Sequence, residues 1–139
     1  MIPYKRHTLS NGLTVAVNRD RQSKLAAVNI LYKVGARNED PARTGFAHLF
    51  EHLMFRGTRE IPNFDLPVQM ASGDNNAFTN NDYTDFYITL PKDNLETALW
   101  LESDRMEGLD ITPAKLEAEK KVVIEEFRQR YLNQPYGDQ

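Results

Sequence analysis

Residues 45–57 read Gly45-Phe46-Ala47-His48-Leu49-Phe50-Glu51-His52-Leu53-Met54-Phe55-Arg56-Gly57, and the rest of the chain is organised around them. On an α-helix, positions four apart lie one above the other, so His48 and His52 present two imidazoles to a single point. Glu51 borders that face and can reach a water held there without acting as a ligand itself. Phe46, Leu49, Phe50, Leu53, Met54 and Phe55 surround the polar trio, which predicts a helix that is apolar nearly all round and buried. Unpaired polar groups in such surroundings cost about 2–7 kcal/mol each, and a metal ion removes that cost. The competing reading is a pair of core histidines hydrogen-bonded to Glu51.

A catalytic zinc site takes three protein ligands and keeps one position open. The chain has no cysteine, so the third ligand is His, Asp or Glu. His7, the remaining histidine, falls on the opening strand, where an exposed structural role suits it better. The last helix offers Glu126 beside its apolar stripe, with Glu119 two turns earlier on the same side and Glu125 turned to solvent. A salt bridge from Glu126 to Arg130 at i+4 is the competing use of that carboxylate, and spacing alone does not choose.

Outward from this helix the elements are readable. Thr44 is the expected N-cap and Gly57 the stop. Upstream, residues 4–18 form a hairpin about a two-residue Asn11-Gly12 turn, and 25–34 a mostly buried strand. Downstream come a short helix over 63–72, strands over 75–79 and 83–90, and a helix over 94–107 opened by an Asp93/Glu96 capping box. Thr112-Pro113 starts a final helix running to about Leu132, with Leu116, Val123, Phe127 and Tyr131 on its core stripe. This order predicts an α+β fold, a mostly antiparallel sheet packed by helices.

At 139 residues the chain is one domain's worth, residues 1–139. Its net charge of −3 gives no reason to expect nucleic acid or a membrane surface as partner. No apolar run is long enough to span a bilayer. The opening Met1-Ile2-Pro3-Tyr4-Lys5-Arg6 is not followed by a signal-type apolar segment, so the cytoplasm is the expected compartment.

His48-x-x-Glu51-His52 is the inverted-zincin order, and Glu119-Lys120-Lys121-Val122-Val123-Ile124-Glu125-Glu126 resembles the second half of the pitrilysin/insulinase metallopeptidase signature. Other segments agree in order and kind. They are Leu9-Ser10-Asn11-Gly12-Leu13-Thr14-Val15, Gly35-Ala36-Arg37, Phe55-Arg56-Gly57-Thr58, Asn76-Ala77-Phe78-Thr79 and Asn133-Gln134-Pro135-Tyr136-Gly137. The feel is closest to bacterial relatives of mitochondrial processing peptidase.

The resemblance implies a zinc-dependent endopeptidase acting on extended or unfolded peptides. His48, His52 and Glu126 would bind Zn2+, Glu51 would be the general base, and Glu119 would support the site from behind. The preference for Glu126 over Glu125 rests on the seven-residue offset from Glu119 that this family keeps. Phe55 matches a position in the pocket for the residue after the scissile bond, with plain core packing as the competing role. Asn76 and Ala77 match the edge strand on which substrates add as an extra β-strand, although Asn76 could equally cap its own backbone. Members pair two homologous halves, in one chain or two. The present chain is therefore expected to be an N-terminal, truncated portion that binds zinc and hydrolyses peptides poorly by itself. A non-catalytic scaffold homologue that retains the metal site is the alternative.

Overall fold

The computed structural model describes residues 2–132, so the 133–137 segment and the side chain of Tyr131 lie outside the described residues. Three antiparallel strands form the main sheet: β3 (Leu25–Tyr32), β5 (Thr84–Pro91) and β4 (Asp74–Thr79), with β5 in the middle. A separate hairpin, β1 (Lys5–Thr8) and β2 (Thr14–Val17), precedes it. The helices are α1 (Phe46–Leu53), α2 (Asp65–Met70), α3 (Leu95–Glu107) and α4 (Pro113–Phe127), the last continuing into a π-helical turn over Arg128–Leu132. The expected α+β architecture is thus the observed one.

The register explains which face of the sheet is covered. Val28 pairs with Ile88, Ile30 and Ala77 with Phe86, and Tyr32 and Thr79 with Thr84. Alternation puts these residues on one face, and α1 and α3 lie against the strands that carry it. The core of Val28, Ile61, Phe64, Val68, Ala71, Ile88, Leu90, Ala98 and Leu101 forms there. Leu25, Leu31 and Phe78 fall on the opposite face and are exposed. The strand expected to be mostly buried is therefore half-covered, because helices pack on one side of it only.

Local chemistry departs from the sequence reading at several ends. The hairpin loop has three residues, Ser10-Asn11-Gly12, not two. Leu9 accepts from Gly12 N–H at 2.9 Å, Leu9 N–H donates to Leu13, and Gly12 takes φ 89°, a type I turn closed by a left-handed residue. Thr44 does not cap α1. Gly45 is the N-cap, and the Glu39 carboxylate accepts from the Gly45 and Ala47 amides at 2.7 Å each, opposite charge to the helix's positive end. No Asp93/Glu96 box forms: Asn94 is the N-cap of α3, and its side chain donates to the Ala71 carbonyl. Thr112 does cap α4, accepting from Lys115 N–H, with Pro113 following.

Two burial expectations are also corrected. Ala47, Leu49 and Leu53 of α1 are buried, but Phe46 and Phe50 are half exposed because they border an open cavity beside β3. On α4 the inward positions are Leu116, Glu119, Val123 and Glu126, whereas Phe127 is 55% exposed. The helix is turned to face α1 with its carboxylates, and Phe127 is carried off the stripe.

Gly35 shows why the hairpin of β4 and β5 is held still. Ala36 and Arg37 amides donate to the carbonyls of Asn80 and Asn81, at 3.1 and 3.0 Å, in the loop joining these strands. A Cβ on residue 35 would lie 2.4 Å from the Asn80 oxygen, so only glycine permits the approach. Gly35→Ala is expected to cost about 1–3 kcal/mol of stability, as overpacking does. Denaturant unfolding reads it, and an unchanged midpoint would disprove the constraint.

Candidate metal centre

α1 and α4 pack side by side, and the sequence-predicted ligands meet between them. His48 Nε2 and His52 Nε2 are 3.2 Å apart; Glu126 Oε2 lies 3.5 Å from the first and 3.6 Å from the second. These three form the one cluster of potential metal-binding groups among the described residues. The Glu126 carboxylate lies against the histidines rather than pairing with Arg130. Glu125, one residue earlier, is exposed and pairs with Arg128 at 3.5 Å. His7 is exposed on β1, away from the cluster.

The spacing suits a small cation. A tetrahedral zinc ion bonded at about 2.0–2.1 Å to nitrogen and oxygen separates neighbouring ligand atoms by about 3.3 Å. The observed separations of 3.2, 3.5 and 3.6 Å bracket that value. The donor set, two imidazoles and a carboxylate, is one that zinc takes in catalytic sites.

Glu119 stands behind His52, 3.3 Å from its Nδ1. A proton on Nδ1 directed at this carboxylate leaves the Nε2 lone pair free on the side of His48 and Glu126. Glu119 is 1% exposed and would be costly if unpaired, but Arg56 donates to its other oxygen from Nε and its Nη2 completes the ion pair. Sequence reading assigned no role to Arg56. It lies in the turn that follows α1, where no helical spacing to His52 signals the contact.

Glu51 is not part of the ligand cluster. Its Oε2 accepts from the Thr79 hydroxyl of β4 at 2.5 Å, within the range of charge-assisted bonds. Glu51 also lines a cavity of about 590 Å³ with Tyr32, Phe46, Phe50, Met54 and Phe86.

The residues expected to meet substrate are placed as follows. Phe55 packs edge-on to Phe64 at 6.1 Å and against Phe86, and it also lines a cleft of about 350 Å³ together with Asn76. It therefore combines core packing with exposure to the cleft. Asn76 and Ala77 lie on β4, whose outer edge has no strand partner among the described residues. The Asn76 side chain accepts from the Ala77 amide at 2.8 Å, the local capping that its residue type allows.

Comparison with known proteins adds the following. The profile of the insulinase family, peptidase family M16, matches residues 14–135. The zinc protease PqqE of Helicobacter pylori is 38% identical over 133 residues, 94% of this chain and 30% of its own length. A probable mitochondrial-processing peptidase subunit beta of Arabidopsis thaliana is 28% identical, over 88% of this chain and 23% of its own. The crystal structure of a protease from Helicobacter pylori superposes with a TM-score of 0.92 at 35% identity, over 99% of this chain and 33% of that one. Pitrilysin superposes with a TM-score of 0.83 at 25% identity, over 93% of this chain and 14% of its own. The chain thus spans about a third or less of the length of these relatives. No helix among its described residues is long and apolar enough to cross a membrane.

Proposed function

The chain belongs to the insulinase family, peptidase family M16, and from that premise we propose that it is the zinc-holding portion of an endopeptidase acting on extended peptides. The observation that carries the proposal is the convergence of His48 Nε2, His52 Nε2 and Glu126 Oε2 within 3.6 Å of one another. Held by these three residues, zinc supplies Lewis acidity toward water and a carbonyl oxygen.

The remaining work falls to this chain's own side chains. Glu51 takes the proton of the attacking water and later delivers it to the leaving amine. Glu119 orients His52 through Nδ1, and Arg56 pairs with Glu119 in its buried place. An extended peptide adds to the outer edge of β4 through backbone groups, which bind without reading sequence, while the cleft bordered by Phe55 receives a side chain. A second homologous half or subunit closes over the peptide. The supporting facts for that last element are the relatives' length and the half-exposed Phe46 and Phe50 beside Glu51.

Metal analysis tests the ligand set. Glu126→Gln is expected to lower zinc affinity by more than the ~10–100-fold that loss of a supporting partner costs, and Glu125→Gln to leave it unchanged. Equal zinc content by elemental analysis in both variants, after dialysis against a chelator, would remove Glu126 from the set.

A further inference from the structure

The reaction just described leaves Thr79 unused, although its hydroxyl holds the carboxylate on which the reaction depends. Thr79 ends β4 and Thr84 begins β5, and the two form the last cross-strand pair of the hairpin. Both project toward the face covered by the helices. Thr84 is 6% exposed, and its hydroxyl donates to the Val34 carbonyl at 3.0 Å. The two hydroxyl oxygens are 3.3 Å apart, and the Thr79 oxygen is 2.5 Å from Glu51 Oε2.

Counting protons orients the chain. A threonine hydroxyl donates one hydrogen. The Thr84 hydrogen goes to Val34, so Thr84 can only accept from Thr79. Glu51 offers Thr79 a charged acceptor 0.8 Å nearer, by the difference of 3.3 and 2.5 Å. The Thr79 hydrogen is therefore committed to Glu51, and a carboxylate that could otherwise rotate about its terminal torsion is held by one oxygen. The hydroxyl is itself fixed, because the loop between the two threonines is tied to Ala36 and Arg37 through the close approach at Gly35.

We propose that Thr79 is a positioning residue for the reaction: its hydroxyl holds the Glu51 carboxylate in the orientation from which it meets the attacking water, and the β4–β5 loop tied down at Gly35 fixes the strand end that carries it. The proposal rests on the reading of Glu51 as general base. It predicts that losing the hydroxyl slows turnover without weakening metal or substrate binding, since Thr79 is outside the metal cluster, its hydroxyl is engaged by Glu51, and a strand edge binds peptide through backbone groups. Misplacement of a reacting group by about 1 Å costs on the order of 10²-fold, which sets the scale.

The test uses the full-length, zinc-loaded protein with an extended fluorogenic peptide. T79V, which keeps shape and loses the hydroxyl, is expected to lower kcat about 10–100-fold with KM and zinc content at wild-type values. T79S is expected to restore most of the loss. On the Glu51→Gln background, T79V is expected to lower the residual rate no further, because a residue acting through Glu51 has nothing left to position. If the valine is not accommodated, T79A with the same serine control replaces it. Wild-type kcat in T79V, no rescue by serine, or an equal further drop in the double variant would each overturn the assignment. Full activity of Glu51→Gln would instead overturn the general-base reading, whatever T79V does.

Discussion

Glu51→Gln in the full-length, zinc-loaded protein is expected to lower kcat by about 10²–10⁴-fold, the usual contribution of a positioned general base, while zinc content stays at the wild-type level. The two halves of this expectation have separate structural grounds. Glutamine keeps the shape of the side chain and an oxygen that can accept from Thr79, so the local packing survives. It cannot take up a proton. Zinc is retained because the cluster consists of His48, His52 and Glu126, and Glu51 is not in it. Steady-state hydrolysis of an extended peptide, paired with elemental analysis of the same preparation, reads both. A wild-type kcat would end the assignment of Glu51; loss of zinc would mean that Glu51 helps hold the metal.

Arg105→Ala is expected to destabilise the chain by about 3–5 kcal/mol, the range for breaking a buried ion pair. Arg105 is 3% exposed and Glu102 2%. The guanidinium donates to both Glu102 oxygens, at 2.8 and 2.6 Å, and lies 4.4 and 4.3 Å from the ring centres of Phe64 and Phe86. It is also 5.6 Å from Phe55, so it supports the turn after α1 as well as the core. Its loss leaves a carboxylate buried without a partner.

The pH dependence gives a second check. Burial pushes the Glu102 carboxyl above its ordinary value of 4.5, outweighing the opposing pull of Arg105. A carboxyl raised on folding adds stability that is present below 4.5 and lost as pH climbs through the raised folded value. The Arg105→Ala penalty is therefore expected to shrink in acid, where Glu102 is neutral and needs no cation. Denaturant unfolding at neutral and acidic pH measures it, and a penalty under about 1 kcal/mol at neutral pH, the scale of an exposed ion pair, would refute the argument. Replacing both partners together, Glu102→Leu with Arg105→Met, is expected to recover most of the loss, because no charge is then left unpaired.

What could be read directly from the residues is bound to short-range geometry. The i, i+4 spacing of His48 and His52 makes them neighbours on any helix, and Pro113 after Thr112 starts a helix by its fixed φ and missing donor. The alternation in 83–90 is likewise a property of any half-buried strand, and β5 appears within one residue of its expected bounds. The places where reading failed needed partners distant along the chain. Thr44 is a good capping residue, but the Glu39 carboxylate, brought back by the 3₁₀ turn over Ala36–Asn38, reaches the same amides. Phe127 continues an apolar period, yet the rotation of α4 is set by where Glu119 and Glu126 find His52 and His48. Nothing in the residue pattern marks Arg105 as buried; Phe55, Phe64 and Phe86, brought in from other parts of the chain, close around it.

By itself, then, the sequence determined that this protein has a helix face offering two imidazoles and a carboxylate in inverted-zincin order, within an antiparallel α+β frame. Only the tertiary structure decided which carboxylate meets the imidazoles, what holds Glu51 and which charges lie inside. The physical reason is distance along the chain. Helix and strand periodicities fix relations within a few residues, whereas the contacts of Glu126 with His48, Arg56 with Glu119 and Thr79 with Glu51 depend on how separate elements pack.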